Sequence, residues 1–177
     1  IYNILWCMNI YEETKMIMRK YNLDFKKKFG QNFLTSEEIL EEVISKAKIS
    51  KDDIILEIGP GIGTLTSKLL ETGAEVISVE VDLELIKPLK DRFFMYDNFT
   101  IISADILKVD IYTEILRILK EKKKDLGNRK IKVVANIPYY ITTPIIFKLL
   151  ENRNIVSEIY IMVQKEVAQR ANWVNYA

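Results

Sequence analysis

The chain has 177 residues, of which 49% are hydrophobic and 29% are charged, and its formal net charge at pH 7 is +1. This composition is typical of one globular domain with one core, and no overall basic excess points by itself to a nucleic-acid partner. The chain contains no histidine and a single cysteine, Cys7, which excludes Ser-His-Asp and Cys-His catalysis, an intrachain disulfide and a cysteine-rich zinc site within it.

The first residues, "IYNILWCMNIYEETKMIMRK", have only a short apolar start. This start is too short to span a bilayer, and it lacks the positively charged region and the small-residue cleavage site of a signal peptide. Together with the single thiol, these features predict a cytoplasmic protein without a membrane partner.

Helical and strand-like patterns alternate along the chain. A helix is predicted over residues 10–20, a loop follows in "FKKKFGQNFL", and a second helix runs from a cap at Thr35 or Ser36 to about residue 47. Five apolar runs then read as strands, namely "DIILEI", "AEVISVEVD", "FTIISADIL", "IKVVANI" and "SEIYIMVQ". Helices are predicted between and after them in "TLTSKLLETG", "LELIKPLKDRF", "IYTEILRILKEKKKDLG", "TTPIIFKLLEN" and "KEVAQR". The alternation predicts an α/β fold with a mostly parallel sheet and helices on both faces.

A glycine-rich turn follows the first predicted strand, in "LEIGPGIGTLT". The strand ends near Glu57, and Gly59, Gly61 and Gly63 precede a helix. Glycines let the backbone approach a ligand closely, and the start of a helix offers free N–H groups. Glu80 lies about twenty residues further on, where a carboxylate can accept hydrogen bonds from both hydroxyls of a ribose. The pattern predicts an adenine-nucleoside site.

The spacing leaves both a dinucleotide and S-adenosylmethionine open. The sequence "GPGIG" departs from the usual dinucleotide pattern, and Glu57 beside the turn would repel a pyrophosphate. The same carboxylate suits a cationic sulfonium cofactor that carries an amino group, which favours S-adenosylmethionine. Asp105 in "SADIL" could accept a hydrogen bond from the adenine amine, or it could simply cap a helix.

The stretch "VVANIPYYITTPIIF" ends an apolar strand with an amide, a proline and two tyrosines. Asn136, Pro138 and Tyr139 are poor strand formers and suit a rigid loop at the carboxyl end of a strand. An aromatic face can stack on a nucleobase, and its removal costs about 1–3 kcal/mol. The Asn136 oxygen and the carbonyl of Ile137 or Pro138 can accept two hydrogen bonds from an exocyclic amine, which localises its lone pair without a strong base. The alternative is a proline-stiffened turn whose tyrosines fill gaps in the core.

Lysines form two groups. Lys26, Lys27 and Lys28 adjoin "FGQNFL", and we interpret them as residues that track phosphates; the alternative is a solvated surface. The second group reads as a solvated surface and comprises Lys120, Lys122, Lys123 and Lys124.

Six segments occur together in an order that resembles one family. The segments are "FKKKFGQNFL", "LEIGPGIGTLT", "VISVEVD", "SADIL", "VVANIPYYITTPIIFKLL" and "MVQKEVAQR". From about residue 10 to residue 170 the chain is similar to the small-subunit ribosomal RNA adenine dimethyltransferases of the KsgA type. The resemblance implies a Rossmann-like S-adenosylmethionine-dependent methyltransferase fold. It also implies dimethylation of the exocyclic amino groups of two adjacent adenosines in the 3′-end hairpin of 16S rRNA, during biogenesis of the small ribosomal subunit.

The resemblance also implies domains and roles for single residues. Residues 1–35 would form an N-terminal helix and a basic segment lining the cofactor, and residues 36–177 the catalytic domain. Asn136, Pro138 and Tyr139 would be catalytic, with Asn136 contacting both the cofactor and the target amine and Tyr139 stacking on the target adenine. The other cofactor-binding residues would be Gln31, Asn32, Leu34, Glu57, Gly59, Gly61, Gly63, Glu80 and Asp105. The expected partner is 16S rRNA or the immature small subunit, and the expected protein is a monomer without a metal.

Three alternatives stay open, and so does the extent of the fold. Erm-type enzymes, which methylate large-subunit RNA, differ typically in the glycine loop and after the fifth strand, where this chain reads "GPGIG" and "QKEVAQR". A non-catalytic ribosome-assembly factor and, more distantly, a dehydrogenase are the others. Members of the family continue beyond residue 170 with further strands and a helical domain, so we expect the C-terminal strands and that domain to be missing here.

Overall fold

The computed structural model describes residues 10–23 and 36–162, except for the side chain of Tyr139. The helices there are α1 (Ile10–Lys20), α2 (Glu37–Lys46), α3 (Thr64–Glu71), α4 (Leu83–Phe93), α5 (Ile111–Glu121) and α6 (Tyr139–Glu151). The strands are β1 (Ile54–Ile58), β2 (Glu75–Glu80), β3 (Phe99–Ser103), β4 (Ile131–Asn136) and β5 (Val156–Met162). The predicted alternation of strands and helices is confirmed for this part of the chain.

The strands form one sheet in the order β3-β2-β1-β4-β5, and every neighbouring pair is parallel. The chain moves outward from β1 to β3 and then returns, so that β4 pairs with the other side of β1. All five residues of β1 are buried, as expected for a strand covered on both faces. The carboxyl ends of β1 and β4 therefore lie side by side where the direction of winding reverses, which is where open α/β sheets bind ligands.

Helices cover both faces of the sheet. Successive side chains of a strand point to opposite faces, so alternate residues of β1 enter two separate apolar clusters. One cluster joins Ile55 to buried residues of α1, α2, α3 and α4. The other joins Leu56 to buried residues of α5 and α6. The prediction of a doubly covered parallel sheet is thus confirmed.

Two helices have ends that differ from the sequence prediction. Helix α5 ends at Glu121 instead of continuing to Gly127, and Lys123 in the turn that follows has a positive φ of 55°. Helix α6 begins at Tyr139, three residues before the predicted start at Thr142. The loop between β4 and α6 thus consists of Ile137 and Pro138 alone.

None of the helices within residues 10–23 and 36–162 is both long and apolar enough to cross a membrane.

Candidate functional site

A cavity of about 280 Å³ opens at the carboxyl edge of the sheet. Residues from the ends of β1, β2 and β4 and from the turn after β3 line it. Seven predicted site residues are among them, namely Glu57, Gly59, Gly61, Glu80, Asp105, Asn136 and Pro138. The topology therefore gathers residues that are far apart in the sequence around one space.

The glycine loop lies close to two neighbouring strands. Gly59 and Gly61 have positive φ angles of 69° and 61°, which side chains rarely tolerate. The Gly59 amide donates a hydrogen bond to the Val79 carbonyl at 3.0 Å. A β-carbon on Gly59 would lie 3.4 Å from the Asn136 carbonyl oxygen at the end of β4. Because these glycines have no side chains, the space between the ends of β1 and β4 stays open to a ligand.

Glu80 is the last residue of β2 and is held by the backbone around the cavity. Its Oε2 accepts a hydrogen bond from the Gly61 amide at 3.2 Å, and its Oε1 accepts one from the Asp82 amide at 2.9 Å. Burial raises the pKa of Glu80, while these backbone donors lower it. Each oxygen of a carboxylate can accept a second hydrogen bond, so the fixed group can still bind two donors such as ribose hydroxyls.

Glu57 near the end of β1 is buried, and only one of its carboxylate oxygens has partners within the described residues. Thr66 Oγ1 and Ser78 Oγ donate to its Oε2 at 2.8 Å and 2.6 Å. Its Oε1 has no hydrogen-bond partner in the described part of the chain. Burial raises the pKa of Glu57 to about 7, against the two hydroxyl donors, which lower it. A positively charged group placed next to Glu57 would therefore favour its ionised form near neutral pH.

Asp105 both caps a turn and lines the cavity. Its Oδ1 accepts a hydrogen bond from the Leu107 amide at 3.0 Å, and its carbonyl accepts one from the Lys108 amide at 2.9 Å. The helix-cap alternative is wrong, because α5 begins at Ile111 and its N-cap is Asp110. Asp105 instead caps the turn after β3 and borders the cavity.

The loop between β4 and α6 is shaped by Pro138. Asn136 is the last residue of β4, and Pro138 is the N-cap of α6 with φ −59° and ψ 142°. The Pro138 carbonyl accepts hydrogen bonds from the Ile141 amide at 3.2 Å and from Thr142 Oγ1 at 3.1 Å. Both of its lone pairs are thus used inside the helix, which fixes the loop from its carboxyl side.

The structure does not bring every predicted residue to the cavity. Gly63, the N-cap of α3, faces the core, where a β-carbon would lie 2.5 Å from Phe93 Cε2, and it is absent from the cavity lining. The predicted residues that lie outside the described part of the chain are Gln31, Asn32, Leu34, Lys26, Lys27 and Lys28, together with the side chain of Tyr139.

Some residues of the lining were not predicted. Thr64, Val81 and Tyr140 also border the cavity. Val81 directly follows Glu80, and Tyr140 is the second tyrosine of "NIPYY". In the sequence, only their position next to a predicted site residue indicates that they border the cavity. Thr64 opens α3 after the glycine loop, where the first turn of a helix faces a ligand.

Two lysines of the second group have a structural role at the opposite edge of the sheet. Lys122 and Lys124 both donate to the carboxylate of Glu75, the first residue of β2, and Lys122 also donates to the Asp97 carbonyl at 2.8 Å. Because they lie at the amino ends of the strands, these lysines are remote from the cavity. The interpretation of the second group as a solvated surface is therefore wrong for Lys122, whose side chain is only 21% exposed in its ion pair with Glu75.

Comparison with known proteins identifies the family. The family model described as ribosomal RNA adenine dimethylase matches residues 22–172. The ribosomal RNA small subunit methyltransferase A of Lactococcus lactis is 52% identical over 157 residues, which cover 89% of this chain and 51% of the relative. The chain thus spans about half the length of the curated relatives that it matches.

Solved structures support the same assignment. A dimethyladenosine transferase from Plasmodium falciparum is 34% identical with a TM-score of 0.62, covering 78% of this chain and 46% of that one. The 23S rRNA methyltransferase ErmE is 27% identical with a TM-score of 0.64, covering 78% of this chain and 50% of that one. Since the family model covers most of the sequence and the fold agrees, the chain belongs to the ribosomal RNA adenine dimethylase family.

Proposed function

We propose that this chain forms the catalytic part of an S-adenosylmethionine-dependent enzyme that dimethylates the exocyclic amino groups of two adjacent adenosines in the 3′-end hairpin of 16S rRNA. The observation that carries the proposal is the cavity that joins Glu57, Glu80, Asp105 and Asn136 in a member of this family. The substrate would be 16S rRNA or the immature small subunit, which implies a cytoplasmic protein. A monomer suffices, because one chain supplies the proposed site.

The residues at the cavity fit S-adenosylmethionine. The buried Oε1 of Glu57 has no partner in the described residues and suits the amino group of the cofactor. Glu80 would accept the ribose hydroxyls, and Asp105 the adenine amine, while Gly59 and Gly61 leave room for the cofactor backbone. Residues 36–177 would form the catalytic domain, and residues 1–35 would complete the methionine end of the pocket through Gln31, Asn32 and Leu34 and contact RNA through Lys26, Lys27 and Lys28.

Catalysis would rest on positioning at the end of β4. When bound, S-adenosylmethionine would supply a methyl group on a positively charged sulfur, for in-line transfer. The Asn136 oxygen and a backbone carbonyl would accept hydrogen bonds from the target amine and localise its lone pair. Since the Pro138 carbonyl already accepts two hydrogen bonds in α6, the Ile137 carbonyl is the better second acceptor. Tyr139 would stack on the target adenine. This mechanism uses neither histidine nor a metal ion.

The structural similarity to ErmE favours one alternative substrate, a large-subunit rRNA. The curated relatives that are about half identical to this chain are instead named for the small subunit. The proposal therefore keeps 16S rRNA as the substrate, and methyl transfer to isolated subunits of each kind separates the two.

The first part of the test is calorimetric titration with S-adenosylmethionine. We expect binding, and Glu80→Gln should weaken it about tenfold or more, because hydrogen bonds to a charged acceptor contribute about 1.5–3 kcal/mol each. Glu37→Gln is the matched control, since Glu37 is an exposed carboxylate paired with Lys68 and is absent from the cavity lining. Equal affinities of the wild type and Glu80→Gln for S-adenosylmethionine would contradict the assignment of Glu80 to the ribose.

The second part measures methyl transfer to small subunits that lack these methyl groups, with wild-type protein and Asn136→Ala. We expect Asn136→Ala to lower the rate at least about 100-fold, as expected when a group that acts in the transition state is removed. RNA binding, measured in parallel, should change little. A wild-type protein that binds the subunit without transferring methyl groups would instead support a non-catalytic assembly factor.

A further inference from the structure

Two buried hydroxyl groups flank Glu57. Residue Ser78 of β2 pairs with Glu57 of β1 in the parallel register, so both side chains emerge on the same face of the sheet. Thr66 reaches the same point from the first turns of α3. Both hydroxyl residues are fully buried, with relative exposures of 0%. Three elements thus meet at a single carboxylate.

Both hydroxyls donate to the same oxygen of that carboxylate. The distances to Glu57 Oε2 are 2.8 Å from Thr66 Oγ1 and 2.6 Å from Ser78 Oγ. Two donors from different elements fix the rotation of the carboxylate plane and use both lone pairs of Oε2. The other oxygen, Oε1, is buried and without a partner in the described residues, although Glu57 borders the cavity. Buried polar atoms nearly always have a hydrogen-bond partner, so we expect Oε1 to receive a donor from a group bound in the cavity.

We propose that Thr66 and Ser78 are positioning residues that orient Glu57 so that its Oε1 is reserved for the cationic amino group of the cofactor. This inference rests on the proposed function. A positively charged donor suits Oε1 better than a neutral one, because it satisfies the lone pairs and also stabilises the charged form of a buried carboxylate. The two hydroxyls would therefore contribute to affinity without touching the ligand.

The charges around Glu57 act in opposite directions. Glu80, on β2, raises the pKa of Glu57, and Arg92, on α4, lowers it, while burial is the main cause of its rise to about 7. Thr66 and Ser78 lower it by hydrogen bonding to the ionised form. Below this pKa Glu57 must lose a proton before it can pair with an ammonium group. Affinity for a cationic ligand should therefore rise with pH and level off above about pH 7.

The test compares two ligands that share adenine and ribose. S-Adenosylmethionine carries the amino-acid portion, and 5′-methylthioadenosine lacks it. At pH 7 we expect Ser78→Ala and Thr66→Val each to weaken binding of S-adenosylmethionine about tenfold, the effect of one hydrogen bond to a charged group, and to change 5′-methylthioadenosine affinity less than about twofold. Thr66→Ser keeps the hydroxyl and should restore the affinity.

The pH profile supplies a second readout. Between about pH 5.5 and 7.5 the α-amino group of the ligand stays largely protonated, since its ordinary pKa is about 7.7–8.0. In this range the affinity for S-adenosylmethionine divided by that for 5′-methylthioadenosine should increase with pH for the wild type. Loss of a hydroxyl donor raises the pKa of Glu57, so Ser78→Ala should need a higher pH to reach the same ratio. The ratio cancels the titration of Glu80, whose ribose contacts both ligands share.

Thr14→Val is the matched control. Thr14 is a buried residue of α1 whose hydroxyl has no partner in the described residues, and it does not border the cavity. Its loss should leave both affinities unchanged. Equal losses for both ligands in Ser78→Ala and Thr66→Val would overturn the inference while the proposed function stands. Binding of neither ligand by the folded wild-type chain would overturn the proposed function itself.

Discussion

At the scale of single residues, the glycines of "GPGIG" have different roles. Gly59 and Gly61 border the cavity, where their positive φ angles let the loop pass under a ligand. Gly63 has the largest positive φ of the three, 86°, and its α-carbon faces Leu89 and Phe93 of α4. It allows α3 and α4 to pack closely behind the cavity.

A substitution separates the backbone cost at Gly63 from the packing cost. Gly63→Ala should lower the free energy of unfolding by about 2–5 kcal/mol, the sum of about 1–2 for the left-handed backbone and about 1–3 for overpacking against Phe93. Gly127→Ala is the matched control, because Gly127 also has a positive φ, 55°, but meets only the Asp125 side chain at 3.2 Å. It should lose only the first contribution. Urea unfolding measures both, and equal losses would show that packing at Gly63 is unimportant.

Some of the site residues can be predicted from the sequence, and others cannot. Glu57, Glu80, Asp105 and Asn136 could be placed together because each follows an apolar run, and the carboxyl ends of parallel strands meet at one edge. The role of Ser78 could not be found in this way. It depends on the register between β1 and β2, which the hydrophobic pattern of two fully buried strands does not fix.

At the scale of elements, Arg92 connects three parts of the molecule. From α4 its Nη1 donates to the Ile62 carbonyl in the glycine loop at 2.9 Å, and its Nη2 donates to Glu13 of α1 at 2.6 Å. The Tyr21 hydroxyl after α1 donates to Asp91 at 3.1 Å. Helix α1 is thus linked to α4 and, through Arg92, to the glycine loop that borders the cavity.

Removal of the Arg92 guanidinium should be costly for this reason. Arg92→Met leaves the Ile62 carbonyl and Glu13 without their donor, and we expect a loss of about 2–3 kcal/mol in the free energy of unfolding. Arg117→Met should cause little change, since Arg117 forms its ion pairs with Glu114 and Glu121 on the exposed surface of α5. Chemical denaturation of both variants provides the comparison. Similar losses for Arg92→Met and Arg117→Met would indicate that the hydrogen bonds of Arg92 stabilise the protein no more than exposed ion pairs do.

Element boundaries were less predictable than the elements themselves. The sequence predicts a helix that starts only at Thr142, after the two tyrosines, yet α6 includes both tyrosines. Proline fixes φ near the value that this N-cap adopts, and its carbonyl accepts the first helical bonds, so the helix starts directly after it. The sequence predicts that the helix continues through the lysine run, but Lys122 and Lys124 instead lie after α5 and donate hydrogen bonds to Glu75. Such long-range contacts override local propensity.

At the scale of the whole molecule, stability should be distributed unevenly across the sheet. β1 lies between β2 and β4 and is fully buried, whereas β3 pairs only with β2 within the described residues and is partly exposed. We expect the amides of β1 to show the slowest native-state hydrogen exchange and those of β3 to exchange faster, because edge strands can open without disrupting the core. Exchange measured by mass spectrometry or NMR tests this order. Protection of β3 equal to that of β1 would contradict it.

The return of the chain from β3 to β4 also constrains how the molecule is made. β4 can dock beside β1 only after the long segment between Ile54 and Ile131 has closed into a loop, and such closures delay folding. During synthesis, β1, β2 and β3 leave the ribosome before the strand that ends in Asn136. A partly made chain can therefore hold Glu57 and Glu80 in place and still lack one wall of its cavity. Ligand binding at the cavity therefore requires that β4 has already docked beside β1.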